Sequence, residues 1–436
     1  MGWTFVYGML HRSLACNNDA YMSNAGGGVL AHEVAEATAR HSYGKLIAFL
    51  AARSGDVASA EDALADAFAA ALDRWPVDGP PANPEAWLLT VARRRLVDDL
   101  RKRRSDIGAD ALEAIASSLS IAAEDMGKIP DRRLALLFTC AHPAIDAGIR
   151  APLMLQTVLG LDAARIASAF LVSPSAMGQR LVRAKIKIRQ AGIPFQIPER
   201  NELGERLETV LDAIYAAFSE GWMDAAGTDV ARRDLAEEAI YLCRLVTELL
   251  PDEPEAWGLL ALMLYAEARR AGRRGAAGEY IPLAQQNTAL WDASRIEQAE
   301  AVLRHASAMG RIGRYQLEAA IQSAHVERRR TGHANWQAVM KLYDALVTLT
   351  ASPVAMLNRA LAMAEVSGAQ TALASLNEIG ADARLMEYQP YWAARAELLL
   401  QTGAMAEARH AYDVAIGMER DPSVRQFLEA KRAKAI

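Results

Sequence analysis

Apolar residues recur along most of this chain every three to four positions, the period of a helix that buries one face. Glycine and proline interrupt the pattern at a few points. In residues 31–52, Val34, Leu46, Ile47, Phe49 and Leu50 suit an amphipathic helix, and Gly55-Asp56 breaks it. A second helix follows over SAEDALADAFAAALDRW, with Leu64, Phe68, Ala71, Leu72 and Trp75 on its buried side and Asp62, Asp66 and Asp73 on its outer side. Ser59 is the expected N-cap, with Asp62 as the acid of a capping box. The stretch PVDGPPANP holds four prolines in nine residues and predicts a loop. Pro84 opens a third helix, PEAWLLTVARRRLVDDLRKRR, whose apolar face is Trp87, Leu88, Val91, Leu96 and Leu100. Residues 105–129, rich in Ala, Ser and Asp, read as a tether. Leu134, Leu137 and Phe138 then predict a buried helix that His142-Pro143 stops, because the residue before proline avoids helical geometry.

The sharpest local signal lies in residues 161–189. Asp162 is a fair cap for a short helix carrying Ile166, Ala167 and Phe170, and Leu171-Val172 makes a turn. Ser173 caps the next helix and Pro174 fits its first position, where an N–H has no partner within the helix. Met177 and Leu181 form one buried stripe, and Gln179, Arg180, Arg183, Lys185, Lys187 and Arg189 fill the other faces. This is the pattern of a helix-turn-helix with a basic second helix. The segment IPFQIP closes the unit. From residue 199 onward nearly everything reads as helix. The stretch YWAARAELLLQTGAMAEARHAYDVAIGMERDP has the order of a tetratricopeptide repeat: aromatic start, small residues, Gly turn, EA, aromatic, late Pro. A weaker copy, PVAMLNRALAMAEVSGAQTALASLNEI, precedes it. Such pairs stack into a solenoid whose concave surface holds peptides or proteins. The fold class expected is all-α.

Charge sharpens this division. The chain has 436 residues and a net charge of −5. Residues 199–436 hold 26 basic and 33 acidic side chains, which leaves 22 basic and 20 acidic in residues 1–198. The basic residues of the first part gather in two runs. Residues 93–104 carry seven bases and two acids, and residues 163–198 carry six bases and no acid. Basic helices of this kind point to nucleic acid. Cys16, Cys140 and Cys243 lie far apart and form neither metal spacing nor a disulfide framework, which implies a reducing cytoplasm. No run is long enough to span a bilayer and the first thirty residues lack a signal-peptide design. Residues 1–30, ending in Gly26-Gly27-Gly28, read as a poorly ordered extension. There is no phosphate-binding glycine loop, metal cluster or nucleophile motif, and nothing orients Cys140 and His142 for chemistry. An enzyme is therefore not expected, nor a cofactor or metal.

These segments, in this order, resemble a sigma factor of the extracytoplasmic-function type, in the subgroup with a fused tetratricopeptide-like extension. SAEDALADAF resembles the region that docks on the clamp helices of core RNA polymerase. AWLLTVARRRLVDDLRKRR resembles the helix that melts and reads the −10 element. LDAARIASAFLVSPSAMGQRLVRAK resembles the −35 reader, and LLFTCAHPAI together with the long C-terminal half points to the subgroup. The resemblance implies a region 2-like domain over residues 31–104, a linker over 105–129, a region 4-like domain over 130–198 and a regulatory helical domain over 199–436. It assigns docking to Asp62 and Asp66. It places Trp87, Arg93, Arg94 and Arg95 at the melted −10 element, with Arg101, Lys102, Arg103 and Arg104 on phosphates. It places Ser175, Gln179, Arg180 and Arg183 on the −35 duplex, with Lys185 and Lys187 as phosphate neighbours. The partners implied are core RNA polymerase, promoter DNA and a protein or peptide on the solenoid. The chain departs from many relatives in having Arg94 in place of Asn, Gly178 in place of Lys and Ala65 in place of Gln. The rival reading is a helix-turn-helix regulator whose solenoid senses a peptide. That reading leaves the acidic helix and the Trp-and-Arg helix without a purpose.

Overall fold

A computed structural model describes residues 25–102, 132–170, 172–222, 230–380, 382–419 and 421–435. Among these the fold is all-α, and the one extended pairing is an isolated bridge between Arg274 and Tyr280. The chain forms two compact units, the first ending at Ala217 and the second beginning at Phe218.

In the first unit, α1 (Ala25–Ser54), α2 (Val57–Asp78) and α3 (Pro84–Lys102) pack on one another. Their shared core includes Leu46, Ile47, Leu50, Leu64, Phe68, Trp75, Leu88 and Leu96. Helix α1 begins at Ala25, so Gly26–Gly28 are helical rather than part of the expected extension. Gly55, at φ 68°, makes the turn into α2. The cap of α2 is Asp56, not Ser59: its carboxylate accepts from the N–H groups of Ala58 and Ser59 and from the Ser59 hydroxyl. A carboxylate at the positive end of a helix outcompetes a hydroxyl there, which moves the start upstream. Helix α2 also runs on through Pro76, which sits in its last turn, and stops at Gly79. Asn83 caps α3 through Ala86 N–H at 3.1 Å. Ser42 and Lys45 of α1 both bond the Glu85 carboxylate at the start of α3.

Four shorter helices follow in this unit: α4 (Arg133–Cys140), α5 (Ala147–Thr157), α6 (Ala163–Ala169) and α7 (Pro174–Gln190). Helix α4 ends just before His142-Pro143, as its sequence predicts. Asp162 caps α6 through Ala164 N–H and Ser173 caps α7 through Ala176 N–H. Met177, Leu181, Ala184 and Ile188 form the buried stripe of α7. Helix α8 (Arg200–Trp222) begins in this unit, where Leu207, Val210, Leu211 and Ile214 are buried and Arg206 bonds the Phe138 carbonyl at 3.3 Å.

The second unit centres on α10 (Pro254–Ala268), which is largely apolar, with Glu255 and Glu267 near its two ends, and buried along nearly its whole length. It is covered by α9 (Val230–Leu249), α11 (Ala293–Ala308) and α12 (Arg314–Val326). Gly258 lets α10 approach the backbone of Gln316 closely, and the Glu255 carboxylate caps α12 through Tyr315 and Gln316 N–H. Beyond a short turn, α13 (Arg328–Thr331), come α14 (Trp336–Thr350), α15 (Pro353–Ser367), α16 (Ala369–Ile379), α17 (Ala383–Met386), α18 (Gln389–Gln401), α19 (Met405–Met418) and α20 (Pro422–Arg432). Helix α14 packs on α15, α15 on α16, α18 on α19, and α19 on α20. Small residues, Ala396, Ala408, Ala411 and Ala415, let α18 and α19 approach closely on either side of the turn at Gly403, φ 82°.

Candidate polymerase and nucleic-acid interface

The outer side of α2 carries Asp62 and Asp66, both exposed. Asp66 lies 3.9 Å from the Arg95 guanidinium, and both side chains remain more than half exposed. A pair so wet contributes little to stability, so Asp66 can exchange Arg95 for a partner's cation at little cost.

Along α3, Trp87 is half-buried and meets Trp75 of α2 edge to face at 5.4 Å. Arg94 and Arg95 point outward, whereas Arg93 leans inward and its Nε has no hydrogen-bond partner among the described residues. Burial lowers the Arg93 pKa. Two arginines that the sequence reading passed over join it. Arg53, at the end of α1, stacks on Phe49 at 3.7 Å, and its pKa falls through burial and then through the charges of Arg132 and Arg93. Arg53 at the end of α1, Arg93 in the middle of α3 and Arg132 therefore make a denser positive field than the run of residues 93–104 alone implies. The side chains of Arg101 and Lys102, and the whole of Arg103 and Arg104, lie outside the described residues.

On α7, Ser175, Gln179, Arg180, Arg183 and Lys187 are exposed, with Gln179 and Arg183 3.4 Å apart. Lys185 is different. It is 7% exposed and ion-paired with Glu61 of α2. Arg189 bonds Asp56 at 3.0 Å. In this arrangement Lys185 does not face solvent, so it is not the phosphate neighbour expected from the sequence. Its position explains why: it stands next to Ala184 and between Leu181 and Ile188, on the buried stripe. Glu61 likewise falls on the stripe of Val57, Leu64 and Phe68. Burial pushes the Glu61 carboxyl up and the Lys185 ammonium pulls against that. At Asp56 burial also acts upward, but the Ser59 and Arg189 donors outweigh it and hold the carboxyl below its usual range. The two ion pairs fasten α7 onto α2. A side chain at Gly44 of α1 would collide with the Val158 carbonyl, so the segment before the helix-turn-helix is seated tightly as well.

Cys140 and His142 do not form a pair. The Cys140 thiol lies 3.3 Å from the Thr157 hydroxyl and burial pushes its pKa up to about 12, while the His142 Nδ1 accepts from Ala144 N–H. Among the described residues no cluster of ligands could hold a metal, and no helix is long and apolar enough to cross a membrane.

Residues 39–105, which contain most of α1 together with α2 and α3, match the model of sigma-70 region 2. Residues 206–307 match a family of unknown function (DUF6596). An uncharacterized protein of Rhizobium meliloti (strain 1021) is 38% identical over 374 residues, spanning 85% of this chain and 88% of that protein. The chain belongs to that protein's family. No solved structure matches the chain. A sigma-70 region 2 domain supports a role in RNA polymerase-directed transcription, implies contact with core RNA polymerase and promoter DNA, and is not enzymatic.

Proposed function

We propose that this chain is a sigma factor of the extracytoplasmic-function type, acting in the cytoplasm and controlled by its own C-terminal helical domain. One observation carries the reading: a region 2 match sits beside a second basic helix, α7, whose outer face is Gln179, Arg180, Arg183 and Lys187 and whose inner face is occupied by packing. Asp62 and Asp66 dock on the polymerase clamp. Trp87, Arg93, Arg94 and Arg95 act at the melted −10 element, with Arg101, Lys102, Arg103 and Arg104 on neighbouring phosphates. Ser175, Gln179, Arg180 and Arg183 read the −35 duplex and Lys187 holds its backbone. Base-edge contacts each supply about 1–3 kcal/mol of discrimination.

The grip of α7 on α2 bears on how such a factor works. Elements near −35 and −10 are about 25 base pairs apart, roughly 85 Å at ~3.4 Å per base pair. Helices in contact cannot reach both. Promoter engagement therefore requires the Lys185–Glu61 and Arg189–Asp56 pairs to open. A peptide or protein partner of the C-terminal domain fits a groove of about 760 Å³ beside Trp392, Arg395 and His410.

In vitro transcription tests the proposal, using core RNA polymerase, the full chain and a pool of promoter fragments. Discrete transcripts that need both proteins are expected. Tight duplex binding without polymerase and without transcripts would favour the peptide-sensing regulator instead.

A further inference from the structure

The C-terminal unit contains a cavity of about 380 Å³ whose lining includes Arg269, Arg273, Trp222, Trp336, Gln322 and His325. Four arginines lie in the run from Arg269 to Arg274, and they divide cleanly. Arg270 pairs with Glu267 at 2.6 Å and Arg274 pairs with Asp421. Among the described residues the two that line the cavity have no such partner. Arg269 is 6% exposed, and its guanidinium donates to the Tyr265 carbonyl and the Gln322 side-chain oxygen. Arg273 donates to the Trp222 carbonyl at 2.6 Å and stacks on the Trp222 ring at 3.6 Å. Arg328 adds a third positive charge nearby, bonded to the carbonyls of Leu283, Ala284 and Gln286. Asp421 is close enough to act on Arg273, but Arg274 holds it. Among the described residues none of these three arginines has a carboxylate within ion-pair distance.

A buried cation surrounded only by neutral acceptors is costly, because neither water nor an opposite charge replaces its hydration. Burial, and after it the neighbouring arginines, lower the Arg269 pKa to about 10, so the group stays charged at neutral pH. Burial does the same to Arg273, again to about 10. His325, in the same lining, is held neutral: burial, then Arg269 and Arg328, bring its pKa to about 4. Two guanidinium groups lining one small space are suited to a carboxylate, which takes paired N–H donors. The Trp222 and Trp336 rings supply flat apolar walls, and the volume suits a ring with a short substituent.

We propose that this cavity binds a small aromatic carboxylate, with Arg269 and Arg273 on the carboxylate and Trp222 and Trp336 against the ring. The site gives the C-terminal unit a small-molecule input, and it stands whether or not the chain is a sigma factor. The test uses the full chain, with benzoate as probe, benzamide as its uncharged counterpart and inorganic phosphate as an anion without a ring. Calorimetry and thermal unfolding read the outcome. Benzoate at millimolar concentration is expected to bind and to raise the unfolding temperature, with benzamide and phosphate each about tenfold weaker or more. Arg269→Gln and Arg273→Gln are each expected to weaken benzoate about 10- to 100-fold, as loss of a charge-assisted bond should. Arg270→Gln, on the neutralised neighbour, is expected to leave benzoate binding unchanged. The ligand comparison on the unaltered chain needs no variant to fold. Equal responses to benzoate and benzamide, or to benzoate and phosphate, would overturn the proposal. So would no binding of benzoate, or binding unaffected by both cavity variants.

Discussion

In the first unit Lys185 is buried with Glu61 against it; in the second Arg269 is buried and, among the described residues, donates to a carbonyl and an amide oxygen. The desolvation problem is the same and the solutions differ. A matched pair joins segments 124 residues apart and gives their packing a single register. An unmatched cation does nothing comparable for the fold, and its cost makes sense where an anion arrives from outside. Buried charge thus serves as a fastening in one unit and as a receptor in the other.

The strongest challenge to the first half of this contrast is Glu61→Ala. It strands Lys185 and should destabilise the first unit by about 3–5 kcal/mol in denaturant unfolding. Replacing both members, Glu61→Leu with Lys185→Met, should recover most of that loss. If the double variant were as unstable as the single one, the pair would not be what fastens α7. Next in size is a pH effect in the second unit. His325 titrates at about 4 when folded and near its ordinary 6.5 when unfolded, so between those values the unfolded chain binds the extra proton. Stability should therefore fall as pH drops from 6.5 to 4, by roughly 3 kcal/mol for this group. His325→Gln should flatten that part of the stability-versus-pH profile, read as unfolding temperature at each pH. Gly44→Ala comes third. Its methyl group meets the Val158 carbonyl, and overpacking of this kind costs about 1–3 kcal/mol. Arg180→Ala should leave stability within about 0.5 kcal/mol yet change promoter choice in transcription assays. Unaltered promoter preference would move the reading face off α7. Smallest is Asp66→Asn, which should alter the melting temperature barely at all, since its partner Arg95 is mostly solvated. It should still weaken binding to core polymerase in a pull-down titration.

Much of the scaffold could be read directly from the chain, for local reasons. Ser173 and Asp162 cap where their side chains reach the next free N–H groups, and Met177 and Leu181 are buried because 3.6-residue spacing aligns them. The errors have local causes too. Asp56 took the cap expected of Ser59, and Pro76 fell in a last turn that tolerates it. On α7 the exposed positions Arg180, Arg183 and Lys187 could be read from the spacing, whereas the burial of Lys185 and the inward lean of Arg93 could not. At Lys185 the decisive partner is distant in sequence, and the signal was a charge on each of two apolar stripes. That Arg269 and Arg273 meet no acid among the described residues could not be read at all, because the run RRAGRR does not say which members meet one.

Each unit also holds a buried free cysteine, Cys140 in the first and Cys243 in the second. Burial raises both thiols well above the ordinary range, so neither is a useful nucleophile while its surroundings stay closed. A thiol-reactive dye will label each one only as fast as its own unit opens. The protein therefore carries two internal clocks, one for the unit fastened by Lys185 and Glu61 and one for the unit with the arginine cavity. Polymerase, promoter or a small carboxylate can each be scored by which clock it slows.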